Sequence, residues 1–156
     1  MSGMSRIVKT MSNITFPLII IFGLYIIAHG HLTPGGGFQG GAVVASGCAM
    51  ILAAYGSVWT MKKIKEKQLS ILESVGALGF IGLAFLGLIF GVIFFNNFLI
   101  GENIIFDNPA LGLSDINTAG VIPLMNLAVG LKVIAGLFAI VLIMAYAVSN
   151  KEGVAK

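Results

Sequence analysis

Long apolar runs alternate with short polar connectors along this chain, and charge is largely confined to the connectors and the two ends. A helix that crosses a bilayer needs about 20 predominantly apolar residues. Four stretches approach that length: Ile14 to Ala28, Gly41 to Trp59, Ser74 to Phe95 and Pro123 to Val148. The first is long enough only if its helix continues to His29 or His31. The pattern predicts an all-α integral membrane protein, a single membrane domain over residues 1–156. Its four transmembrane helices are expected over 14–31, 41–59, 74–95 and 123–148. Arg6 and Lys9, the apolar run and Ala28-His29-Gly30 also have the layout of a cleavable signal peptide. We read the run as a retained helix.

Composition strengthens this reading. Apolar residues make up 58% of the chain and charged residues 10%, where a soluble domain carries roughly a quarter of charged residues. Such a chain cannot cover itself with charge, so lipid and apolar protein must cover it. We expect a multi-pass protein of the cell membrane. The formal net charge is +3, but four of the nine basic residues (Lys62, Lys63, Lys65, Lys67) sit in one connector without interleaved aromatic residues. Nucleic acid is therefore not an expected partner. Cys48, the single cysteine, lies in an apolar run and is read as a small core residue.

The basic residues also predict orientation. Arg6 and Lys9 precede the first helix, the four lysines follow the second, and Lys151 and Lys156 follow the fourth. The other two connectors carry no basic residue. All basic clusters then share one side, which predicts that both termini are cytoplasmic, with Trp59 and Tyr146 near that interface. The outer connector from Ile100 to Ile122 is acidic (Glu102, Asp107, Asp115) and rich in turn residues. Its Ile104, Ile105 and Phe106 are expected on the membrane surface or against a partner. Ala42, Ala45, Ala49 and Ala53 in the second helix recur at helical spacing, as do Gly76, Gly79, Gly82, Gly87 and Gly91 in the third. Small residues allow close helix approach in lipid. Their abundance suggests embedding in a larger assembly.

The stretch HGHLTPGGGFQGG, from His29 to Gly41, combines both histidines, a proline and a glycine run without any charged residue. Pro34 disfavours helix at Thr33, so the first helix should end there. Gly35, Gly36 and Gly37 permit positive φ and close backbone approach, predicting a glycine-rich turn between helices one and two. A phosphate cradle would need a following Lys and Ser or Thr, which are missing. A metal or haem site would need more ligands than His29 and His31, which are two apart and point to different faces. Two readings stay open: a polar ion or proton pathway using a histidine, and a structural turn whose histidines bond neighbouring carbonyls.

Gly30-His31, then Pro34-Gly35-Gly36-Gly37-Phe38 and Gly40-Gly41, resemble the GHxxPGGGFxGG signature of the MnhB/MrpB family. These are the B subunits of Mrp-type multisubunit sodium/proton antiporters, with relatives in archaeal membrane-bound hydrogenase and sulfur-reductase complexes. The likeness extends over the four-helix layout and into Asn126–Gly130. One departure is His29, where many members carry arginine. The resemblance implies a non-catalytic accessory membrane subunit without cofactor or metal, contributing to assembly and cation translocation beside other membrane subunits. Sodium ion and proton would be the transported species. A subunit of an ion-pumping hydrogenase or sulfane reductase complex, or a purely structural scaffold, are the alternatives.

One charged residue falls within an apolar run and another borders one. Lys132 lies roughly 14 Å of helical rise beyond Pro123, a depth at which an ionisable group is a functional candidate by default. Ala128, Val129, Ala135, Gly136 and Ala139 are expected around it, leaving room for a helix or water. It is either a proton-exchanging group or a docking residue bonded to a carbonyl or a partner carboxylate. Glu73 is expected at the start of helix three as an interfacial carboxylate near the lysine-rich connector. Asn96 and Asn97 are expected to mark that helix's outer end without special chemistry. Lys132, His31, His29 and Glu73 are thus the candidate ion-path residues.

Overall fold

The computed structural model describes residues 4–32, 34–91, 93–99 and 119–154. Among the described residues there are five helices and no strand: α1 (Arg6–Ala28), α2 (Gly36–Tyr55), α3 (Ser57–Lys63), α4 (Glu66–Gly91) and α5 (Ile122–Val154). All but α3 are long and apolar enough to cross a membrane. The expected surface stretch at Ile104, Ile105 and Phe106, and the turns at Asp107 to Pro109 and Leu113 to Asp115, lie outside the described residues.

Helix bounds differ from the expected ones wherever polar residues dilute an apolar run. α1 begins at Arg6 rather than Ile14 because its polar first turns have partners. Ser12 is buried, Asn13 Nδ2 donates to Tyr55 Oη at 2.8 Å, and Lys9 Nζ stands 5.5 Å from the centroid of the Tyr55 ring. α1 also stops at Ala28, ahead of the turn that leads to Pro34. α2 ends at Tyr55, where Gly56 turns the chain with φ 90°, and Trp59 belongs to the short α3, stacked on Tyr55 at 4.5 Å. α4 begins at Glu66 instead of Ser74, so Glu73 lies seven residues inside the helix. α5 starts at Ile122 and continues to Val154.

The spanning helices stand in a row, α1–α2–α5–α4, with close contacts between successive members. α2 is the most enclosed: 44% of its most apolar window is buried, against 17% for α1, 17% for α4 and 22% for α5. Ala45, Leu52, Leu69, Phe138 and Leu142 make the buried cluster where α2, α4 and α5 meet. Such packing holds helices together in lipid by van der Waals fit, since lipid tails already match apolar side chains. A row leaves both broad faces open, and Leu18, Ile21, Leu78 and Ile89 are among many large apolar residues exposed there.

Small residues approach neighbours at positions that differ from the expected stripes. In α2 the closest packing comes from the glycines, while Ala53 is exposed. In α4, Gly76 and Gly79 meet α5, Gly82 has no neighbour within 4 Å, and Gly87 receives the backbone of Asn96 instead of another helix. Beyond α4 the chain folds back: Phe95 N donates to Ala84 O at 3.4 Å, and Phe80 and Phe95 ring centroids lie 5.8 Å apart. Asn97 then has a structural role the sequence did not suggest. Its Nδ2 donates to Ala119 O at 2.9 Å and its Oδ1 accepts from Val121 N at 2.8 Å, tying this segment to the start of α5.

Candidate functional site

The glycine motif is mostly helix. Only His29 to Gly35 connect α1 to α2, and Gly36, Gly37, Gly40 and Gly41 form the buried first turns of α2. Each faces a backbone. A methyl group on Gly36 would overlap Gly30 Cα; one on Gly37 would lie 2.5 Å from Asn126 O; one on Gly40 would lie 2.6 Å from Gly23 O. Gly41 meets α5 in the same way, 3.0 Å from Gly130 O. The motif therefore brings α1, α2 and α5 to backbone contact. Of the expected positive-φ glycines, Gly35 alone takes that conformation, at φ 91° as the N-cap of α2. Asn126 Nδ2 is buried at this junction without a hydrogen-bond partner among the described residues. Sequence reasoning touched Asn126 only as part of the family likeness.

Phe38 does not join that packing. Its ring is exposed and borders a cleft of about 550 Å³ whose floor is α5 and whose wall is α4. Val129, Lys132, Val133 and Gly136 line the floor, and Glu73, Gly76 and Phe80 line the wall. A methyl group on Gly76 would lie 2.8 Å from Lys132 N, and one on Gly136 would lie 3.4 Å from Glu73 Oε1. The glycines thus let α4 and α5 approach until an acid from one and a base from the other share the cleft. By helical rise, Lys132 lies about 15 Å from the start of α5 and Glu73 about 10 Å from the start of α4. The two helices run antiparallel, with Glu73 level with Gly136 and Gly76 level with Lys132.

Two of the four candidate residues are therefore brought together, and two are not. Glu73 is half-buried against α5 and lies inside α4, not at the helix start expected for it. Lys132 is exposed to the cleft, and Val129 and Gly136, two of the residues expected around it, share the lining. Ala135 is fully buried on another side of α5, and Ala139 packs on the core cluster. Glycine spacing in α4 was the available signal for the true neighbour, Gly76. His29 caps α1, with Nδ1 3.2 Å from Tyr25 O and its ring 4.3 Å from that of Tyr25. His31 is half-buried in the following turn. Neither histidine lines the cleft. No group of three or more metal-ligating side chains occurs among the described residues.

Comparison with known proteins places this geometry in a family. Residues 7–148 match the domain related to the MnhB subunit of Na+/H+ antiporters. An uncharacterised protein of Methanocaldococcus jannaschii is 39% identical over 144 residues, covering 88% of this chain and 52% of that protein. The B subunit of the Na+/H+ antiporter of Bacillus subtilis is 28% identical over 125 residues, covering 76% and 79% respectively. Among solved structures, a chain of the archaeal membrane-bound sulfane sulfur reductase superposes with TM-score 0.73 at 29% identity. The superposition covers 92% of this chain and 61% of that one. The chain thus spans about half the length of the M. jannaschii protein and about three fifths of the solved chain. With four helices of membrane-spanning length and this match along most of its length, the chain is a multi-pass membrane protein that belongs to the MnhB-related family.

Proposed function

We propose that the chain is an accessory, non-catalytic membrane subunit of an Mrp-type sodium/proton antiporter module, contributing to assembly and to cation translocation. The observation that carries this reading is the match to the MnhB-related domain over residues 7–148. The open row of helices supports it, because broad apolar faces suit other membrane subunits as partners. Arg6, Lys9 and the α3 lysines gather at the end where Met4 N donates to Ala54 O at 3.0 Å, which favours both termini on the cytoplasmic side.

Lys132 is the residue we assign to ion coupling. A charged lysine near the middle of a span costs about 2.5–3.5 kcal/mol on insertion scales, so it is retained where function or a partner uses it. In vesicles carrying the assembled complex, Lys132→Met and Lys132→Arg should both assemble and both lose sodium-dependent proton movement. Methionine removes the charge, and arginine keeps it permanently protonated. Normal transport by Lys132→Met would remove Lys132 from the path and favour a scaffold role. Full transport by Lys132→Arg would leave charge, without proton exchange, as its contribution.

The likeness to a chain of the sulfane sulfur reductase supports a second reading, in which the module serves an ion-pumping redox complex. Mass spectrometry of the chains that co-purify separates the two. Redox subunits with metal centres would favour the second, and antiporter subunits alone the first.

A further inference from the structure

We propose that Glu73 and Lys132 act as one acid–base exchange site, in which entry of a monovalent cation is matched by release of one proton. This rests on the coupling role assigned to Lys132 above and extends it to a second residue on another helix.

The two groups line the same cleft, and the other residues named along it are apolar or glycine. Gly76 places α4 against Lys132, and Gly136, one turn further along α5, admits the Glu73 carboxylate. His29, Cys48, Lys62, Lys63 and Tyr146, on the other packed elements or further along α5, lie outside the lining. Within it, the charge state of the cleft is therefore set by Glu73 and Lys132.

With carboxylate and ammonium both ionised, the cleft is neutral overall. Adding a sodium ion alone would leave one uncompensated charge in a cleft otherwise lined by apolar residues and glycine, which is unfavourable. Neutrality returns if the Lys132 ammonium gives its proton to water as the cation settles against the Glu73 carboxylate. The lysine becomes a neutral amine, one proton leaves, one cation stays, and the net charge does not change. Reprotonation of the amine expels the cation by the same balance. The Glu73 carboxylate supplies the negative charge for which proton and cation compete.

The test uses vesicles of the assembled complex, with sodium as the added ion and a pH-sensitive dye as the reporter. Glu73→Gln and Lys132→Met should each lower sodium-dependent proton movement about tenfold or more. The double variant should lose no more than the worse single one, because the two residues act as a unit. Glu73→Asp keeps the carboxylate and should retain exchange with a displaced pH optimum, a shift that a packing role would not produce. Wild-type exchange and pH profile in Glu73→Gln overturn the pairing. If Lys132→Met is impaired in that case, the Lys132 assignment survives alone; if it too is normal, both fail. Should Glu73→Gln prevent assembly, the exchanged pair Glu73→Lys with Lys132→Glu decides. Recovery of assembly and exchange supports the site, and recovery of assembly alone, or of neither, overturns it.

Discussion

Gly76 of α4 lies directly against Lys132 of α5: a methyl group in place of its hydrogen would stand 3.0 Å from Lys132 Cβ and 2.8 Å from Lys132 N. That contact sets both the spacing of the two helices and the width of the cleft. Gly76→Leu should push α4 off α5, at a cost of about 1–3 kcal/mol for overpacking. Thermal stability of the detergent-purified protein should fall accordingly. Gly82→Ala is the control, because Gly82 has no neighbour within 4 Å, and it should leave stability within about 0.5 kcal/mol.

The glycine motif predicts two distinct kinds of damage. Gly36→Val drives a branched side chain into the backbone of Gly30, so the α1–α2 junction must open, at about 1–3 kcal/mol. Gly35→Ala meets only the flexible Gln39 side chain, but it must hold φ 91°, which costs an L-residue about 1–2 kcal/mol. Yield of the assembled complex should fall in both. Gly35→Asn should recover part of the loss, since asparagine tolerates this region, and Gly36→Asn should not.

Asn97 clamps two backbone groups at the entry to α5. Asn97→Ala removes both hydrogen bonds and should lower stability by about 1–3 kcal/mol. Since Asn97 does not line the cleft, the assembled variant should keep the sodium dependence and pH profile of the parent. A changed profile would mean that the outer segment communicates with Glu73 and Lys132.

Orientation can be read by cysteine labelling in a Cys48→Ala background. Single cysteines at Lys62 to Lys67 should be shielded from a membrane-impermeant reagent added outside intact cells, and a cysteine at Asp107 should react. The reverse pattern would place the glycine junction on the cytoplasmic side.

The extended, nearly uncharged apolar runs by themselves predicted four membrane-spanning helices, because a chain with so little charge cannot cover itself in water. The spacing of Pro34, Gly35 to Phe38, Gly40 and Gly41 carried the family. Helix starts were less legible. Lys9, Ser12 and Asn13 look like connector in a linear pattern, yet Tyr55 and the end of α2 stabilise them as helix. The glycines announced close approach but not what approaches, since a helix interface and a turn ask for the same absence of Cβ. Only the tertiary structure decided that Gly36 to Gly41 belong to α2 and meet α1 and α5. That Glu73 and Lys132 line one cleft was least visible, because the two lie far apart in sequence and on different helices. Their shared cleft depends on the register of α4 against α5, which Gly76 and Gly136 set through contacts that exist only once the helices have packed.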